Sequence, residues 1–204
     1  MESYGFFNGD TEYGQDEFNR YFKNIYEDGL SRGSNGSLTL SASLSGESVV
    51  LTPGFAIMQG FFYYNDSNKT IPITRNSTYK VIYRLVLRLD YESKTIQAVL
   101  KAGTAGSTPT VPALTRDASR YELSLYRIDV PVTGQISITD ERFNTAVCGE
   151  IRPKNLAGYK EMVEEFDRQF QAWFKNVQGT GWRNIFAQAT EPGGAVTGAI
   201  WISG

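Results

Sequence analysis

The sequence predicts a mainly β fold with helices. It reads as a β-rich, sandwich- or barrel-like domain with an N-terminal amphipathic helix, followed by a long C-terminal coiled-coil-type helix. Three observations carry this. From about Ser37, apolar residues recur at every second position in short runs separated by Gly, Asn, Ser and Pro. Before that region, in QDEFNRYFKNIYEDG, and after it, in LAGYKEMVEEFDRQFQAWFKNVQG, they recur every three or four residues. The chain of 204 residues has room for one good-sized domain and an appended module. It divides into a β-rich domain with the N-terminal helix at 1–152, a long helix at 153–179 and a Gly-rich tail or small β-cap at 180–204.

A short aromatic arm (Tyr4, Phe6, Phe7) precedes the first helix. There Phe18, Tyr21, Phe22 and Ile25 share one face, Asp16 and Glu17 sit in the first turn, and Gly29 stands where a left-handed C-cap is expected. The aromatic face is expected to pack on a sheet. SLTLSASL, SVVLTPG, FAIMQG, FFYYND and KTIPIT are short strands between polar turns. In VIYRLVLRLDY, Val81, Tyr83, Leu85, Leu87, Leu89 and Tyr91 alternate with Ile82, Arg84, Val86, Arg88 and Asp90, giving one core face and one partly wet face. ESK then turns the chain into TIQAVLK, completing a hairpin.

AGTAGSTPTVPALTR lacks the Gly-Lys-Ser/Thr ending of a phosphate cradle and reads as a connector. YELSLYRIDV returns as a strand whose alternation slips near Tyr126, as a bulge would make it. Glu122 on this strand faces Arg84 or Arg88. In the last helix Leu156, Tyr159, Val163, Phe166, Phe170, Trp173 and Val177 keep a three-four spacing, the seam of a short coiled coil. Its bulky aromatics suit a trimer or a locally splayed bundle better than a tight dimer. The alternative is a helix folded back on its own domain.

Composition excludes several classes. There is no histidine, which removes the commonest general base and metal ligand, and a single cysteine excludes a disulfide framework. No cofactor, metal or catalytic set is expected. A net charge of −2 without a basic stripe argues against nucleic acid, and no apolar run is long enough to cross a membrane. MESYGFFNGD does not read as a signal peptide, so synthesis in a cytoplasm is expected.

Four clusters carry residue types that could support chemistry. Asp129, Asp140 and Glu141 could be cast as glycosidase carboxylates, but their spacing fits a surface turn with acids. Phe61, Phe62, Tyr63 and Tyr64, with Tyr79 or Tyr83, could stack on sugar rings; a core or edge strand is the plainer reading. The sequons at Asn35, Asn65, Asn68 and Asn76 read as polar turns. In SITDERFNTAVCG, Asp140 can cap a turn through its own backbone, Arg142 can pair with it, and Phe143, Val147 and Cys148 are expected to anchor a connector between domain and stalk.

The series SYGFFNG, a helix ending in EDGL, GFAIMQGFFYYND, YRLVLRLDYESKTIQAVLKAG, PTVPALTR, YELSLYRIDV and ITDERFNTAVCGEI resembles the N-terminal region of phage and prophage tail-appendage proteins of Gram-positive hosts. These are of the baseplate upper protein or receptor-binding kind, and the resemblance spans roughly residues 1 to 152. It implies a virion structural component in the tail or baseplate, made in the bacterial host. The β-rich domain would attach to other tail proteins, and a helical stalk would join three copies. Cell-wall saccharide would be bound directly or through another protein.

Overall fold

A computed structural model describes residues 14–179, 185–190, 193 and 199–203. The aromatic arm and most of the Gly-rich tail lie outside the described residues, as do the side chains of Tyr159 and Val177. The chain divides into two compact units, Met1–Lys154 and Asn155–Gly204.

The first unit opens with helix α1, Gln15–Ile25. Its first turn is closed by Glu17, whose carboxylate accepts the Gly14 N–H at 2.9 Å, and the acids there oppose the positive end of the helix dipole. The helix ends at Tyr26, which takes up an extended conformation. Gly29 is therefore not its C-cap. It lies in strand β1, Gly29–Leu30, where a Cβ would meet the Glu150 backbone at 2.6 Å. That close approach is what demands glycine.

Nine further strands follow: β2 (Ala42–Ser45), β3 (Ser48–Leu51), β4 (Gly54–Met58), β5 (Phe61–Asn65), β6 (Lys69–Pro72), β7 (Val81–Asp90), β8 (Thr95–Ala102), β9 (Arg120–Val130) and β10 (Ser137–Asp140). They form three antiparallel sheets, ordered β1-β4-β5, β2-β3-β6 and β10-β9-β7-β8. None of these sheets closes on itself among the described residues, so the fold is β-rich and open, and the barrel-like alternative is set aside. β4 and β5 are joined through Gln59 and Gly60, both at positive φ, the twist that a two-residue hairpin turn requires. Asn19 of α1 presses its backbone on Gly60, leaving no room for a side chain there.

The core is one contiguous cluster. Leu30, Val49, Leu51 and Met58 come from the short-strand sheets, and Leu85, Leu87, Leu123 and Ile128 from the long one. The register of β7 against β9 shifts between Leu85 and Val86, leaving Leu125 as the extra residue beside Tyr126. The second face of this sheet is less wet than its alternation implies, because Ile82, Val86, Glu122 and Ser124 are buried. The aromatic face of α1 departs from expectation in the other direction: Phe18, Tyr21 and Phe22 are exposed, and Asn19 is its buried residue.

The second unit contains helix α2, Ala157–Gly179, and strands β11 (Ile185–Ala187) and β12 (Ile200–Ile202), which pair in parallel. Twenty-three residues make a rod of about 35 Å. No helix is long and apolar enough to cross a membrane, and no cluster of potential metal ligands occurs among the described residues.

Candidate functional site

Three places hold the residues that the sequence singles out. The first is the segment after β9. Asp140 ends β10, and its Oδ1 accepts the Arg142 backbone N–H at 2.9 Å, an Asx turn. The same carboxylate takes Arg142 Nε at 3.0 Å and Nη2 at 2.7 Å. The guanidinium then reaches 104 residues back along the chain, donating to Leu38 O at 2.8 Å and to Ser41 Oγ at 2.9 Å. Between these partners Leu40 is held at φ 55°, a conformation that leucine rarely adopts. Arg142 is only 8% exposed and also lies 5.1 Å over the Tyr126 ring. Every one of these partners belongs to the β-rich unit, so Arg142 clamps a strained turn inside it. Phe143 does not anchor on the core: it is 64% exposed, its ring against the guanidinium on the outside. Cys148 is buried in the core, and burial pushes its thiol up to about 12. A thiol held in that state is a poor nucleophile.

The three carboxylates that could be cast as catalytic are each taken by an arginine. Asp129 binds Arg127, Asp140 binds Arg142, and Glu141 binds Arg84 at 3.0 Å. The sequence did not disclose Glu122 as an interior charge. It is fully buried yet accepts from Arg88 and Lys101, both at 2.7 Å, and from the Thr115 N–H. Burial alone would raise its carboxyl. The hydrogen bonds from Lys101, Thr115 and Arg88 outweigh that and hold it below the ordinary glutamate range. The segment read as a connector is what completes this site, since Thr115 closes over Glu122 and Pro112 O accepts from Arg84.

The second place is β5. Strand alternation turns Phe61 and Tyr63 partly inward and leaves Phe62 and Tyr64 at 69% and 65% exposure. All four line a groove of about 680 Å³ that runs to Tyr91, Asp90 and Lys94 of the β7–β8 hairpin. Phe61 meets Tyr91 edge-on at 6.1 Å, and Phe62 stacks on Phe55 at 6.0 Å. Tyr91, which alternation assigns to the core face, forms part of the groove wall. Tyr79 and Tyr83 do not line the groove; the Tyr83 hydroxyl donates to Thr74 O.

The third place is α2. Of the seam residues, Val163, Phe166, Phe170 and Trp173 on α2 and Leu156 in the 3-10 turn before it are all exposed, Phe166 at 70%. Met162 and Phe174 are exposed beside them, which widens the seam into a stripe. Phe170 packs against Trp173 at 5.7 Å and stacks on Phe174 at 6.0 Å. The opposite surface carries the pairs Lys160–Glu164 and Arg168–Glu165.

No family model matches the sequence, and no curated protein matches it. Among solved structures, the gene 22 product of the Bacillus subtilis phage SPP1 is similar at a TM-score of 0.36 and 14% identity, over 49% of this chain and 77% of that one. A likeness at that distance carries no argument about fold or function.

Proposed function

We propose that this chain is a structural, non-enzymatic component of a phage or prophage tail or baseplate. Its β-rich unit attaches to the particle, and its α2 stripes associate copies of the chain, three being the expected number. The stripe carries the reading: four seam positions and two flanking ones hold large apolar side chains in water on a helix whose other surface is charged. A helix in a protein gains most of its stability by packing such a face against another surface. The ordered series of segments over residues 1 to 152 supports the tail assignment. Joining copies multiplies weak contacts through effective concentration, with no chemistry required.

Light scattering on the full chain tests this. A mass three times 22.8 kDa is expected. A monomer at tens of micromolar that keeps its helix by circular dichroism would remove the stalk from the reading.

A carbohydrate-binding module is the second reading, favoured by the exposed Phe62 and Tyr64 at the aromatic groove. Aromatic faces flanked by hydrogen-bonding groups suit pyranose rings. Binding of cell-wall polysaccharide that is lost in Phe62→Ala/Tyr64→Ala would favour it over pure assembly.

A further inference from the structure

A second pocket of the β-rich unit, of about 450 Å³, is built from chemistry unlike that of the aromatic groove. Four cations line it: Lys23 at the end of α1, Arg116 before β9, and Arg152 and Lys154 after the last strand of the unit. Three carboxylates also line it, and two of these are already neutralised. Glu27 holds Arg152 at 2.8 Å, and Glu150 holds Arg32 at 2.6 Å.

The other three cations have no carboxylate partner among the described residues. Arg116 is fixed by neutral acceptors, donating to Ala146 O at 3.0 Å and Val147 O at 3.1 Å while lying 5.2 Å over the Tyr121 ring. Lys154 donates to the Lys23 carbonyl. Carbonyls and a ring face orient these groups without cancelling their charge. Against them stands Asp28, whose oxygens accept the Gln59 N–H and side-chain amide at 2.7 and 2.6 Å. The pocket therefore keeps a surplus of positive charge in a chain whose net charge is −2.

From this we infer that the pocket binds a phosphate group carried on a small polyol. Arginine and lysine together supply several donors and a concentrated positive field, the recognition chemistry of phosphate oxygens. The rest of the lining fits hydroxyls: Asp28, Gln59, Tyr121 and Thr145 offer acceptors and donors. Polar groups make up most of the wall, with Leu123, Cys148 and the Tyr121 ring under Arg116 as its apolar part. This inference does not rest on the stripe of α2 or on the aromatic groove.

The test titrates the full chain by amide NMR with inorganic phosphate, glycerol 1-phosphate and glycerol, each against sodium chloride at matched ionic strength. Saturable shifts confined to the pocket are expected with both phosphates and not with glycerol or chloride. Lys23→Gln/Lys154→Gln should weaken phosphate about tenfold per lysine removed, as charge-assisted hydrogen bonds of this size dictate. Lys69→Gln/Lys80→Gln, at residues that do not line the pocket, should leave binding unchanged. Lys23→Gln alone keeps the test readable if the double variant melts early. Equal shifts with chloride, unchanged affinity in Lys23→Gln, or equal loss in Lys69→Gln/Lys80→Gln would overturn the site. Glycerol binding as well as its phosphate, or inorganic phosphate binding while glycerol 1-phosphate does not, would overturn the assigned ligand.

Discussion

Residues 137–149 and helix α2 treat polarity in opposite ways. In the first, a charged guanidinium is drawn into the interior and each of its nitrogens faces an oxygen: Asp140, Leu38 O, Ser41 Oγ. In the second, phenylalanine and tryptophan stand in water on a helix where Lys160 pairs with Glu164 and Arg168 with Glu165. A satisfied buried charge fixes one conformation of the chain that holds it. An exposed apolar stripe gains free energy when a second surface covers it. The difference locates the two jobs: internal polar clusters shape the β-rich unit, and α2 is where association is expected.

The sharpest way to break that contrast is to remove a satisfied interior charge. Glu122→Ala leaves Arg88 and Lys101 without their shared acceptor and should cost about 3 kcal/mol in urea unfolding. Arg142→Ala should cost about 2–3 kcal/mol, because Leu40 loses the donor that holds its turn. Arg142→Lys should recover only part of this, since an ammonium cannot serve Asp140 and Leu38 O in the same fork.

Acid should act on the same unit in a predictable direction. Burial raises the Asp140 carboxyl, but the hydrogen bonds from Arg142 outweigh it and hold it below the usual aspartate value, as the partners of Glu122 do there. The folded chain therefore binds fewer protons than the unfolded one near the free values of about 3.9 and 4.3. Stability should be intact above about pH 5 and fall as pH drops through 4 toward the folded values, as chemical unfolding at a series of pH values would record.

On α2 the expectation reverses. Phe166→Ser/Trp173→Ser should abolish association by light scattering while changing urea unfolding of the β-rich unit by less than about 0.5 kcal/mol. Cys148 gives the smallest signal: a thiol reagent should label it only after denaturation, without change to either unit beforehand.

Local features were legible in the sequence. The β7–β8 hairpin follows from alternation and a short turn, the slip near Tyr126 marks the bulge at Leu125, and Asp140 and Arg142 sit close enough to pair. Distant features were not. Gly29 looks like a helix cap until Glu150 is brought against it, and Glu122 looks like a surface partner until Thr115 closes over it. The aromatic face of α1 has the spacing of a buried stripe, yet the helix approaches the sheet through Asn19 and Gly60. Periodicity reports which residues share a face; it does not report what covers that face.

The ties between the two ends of the β-rich unit also bear on its synthesis. Leu30 exchanges backbone hydrogen bonds with Gly149 and Ile151, Arg32 pairs with Glu150, and Glu27 with Arg152, across 118 to 125 residues. β1 thus stays half-partnered until the ribosome has made residue 151, and the loop around Leu40 waits for Arg142. Such late closures slow folding and leave strand edges open during translation. A ribosome-bound chain stopped before residue 142 should remain sensitive to protease near Leu40, and one extended well past residue 152 should become resistant there.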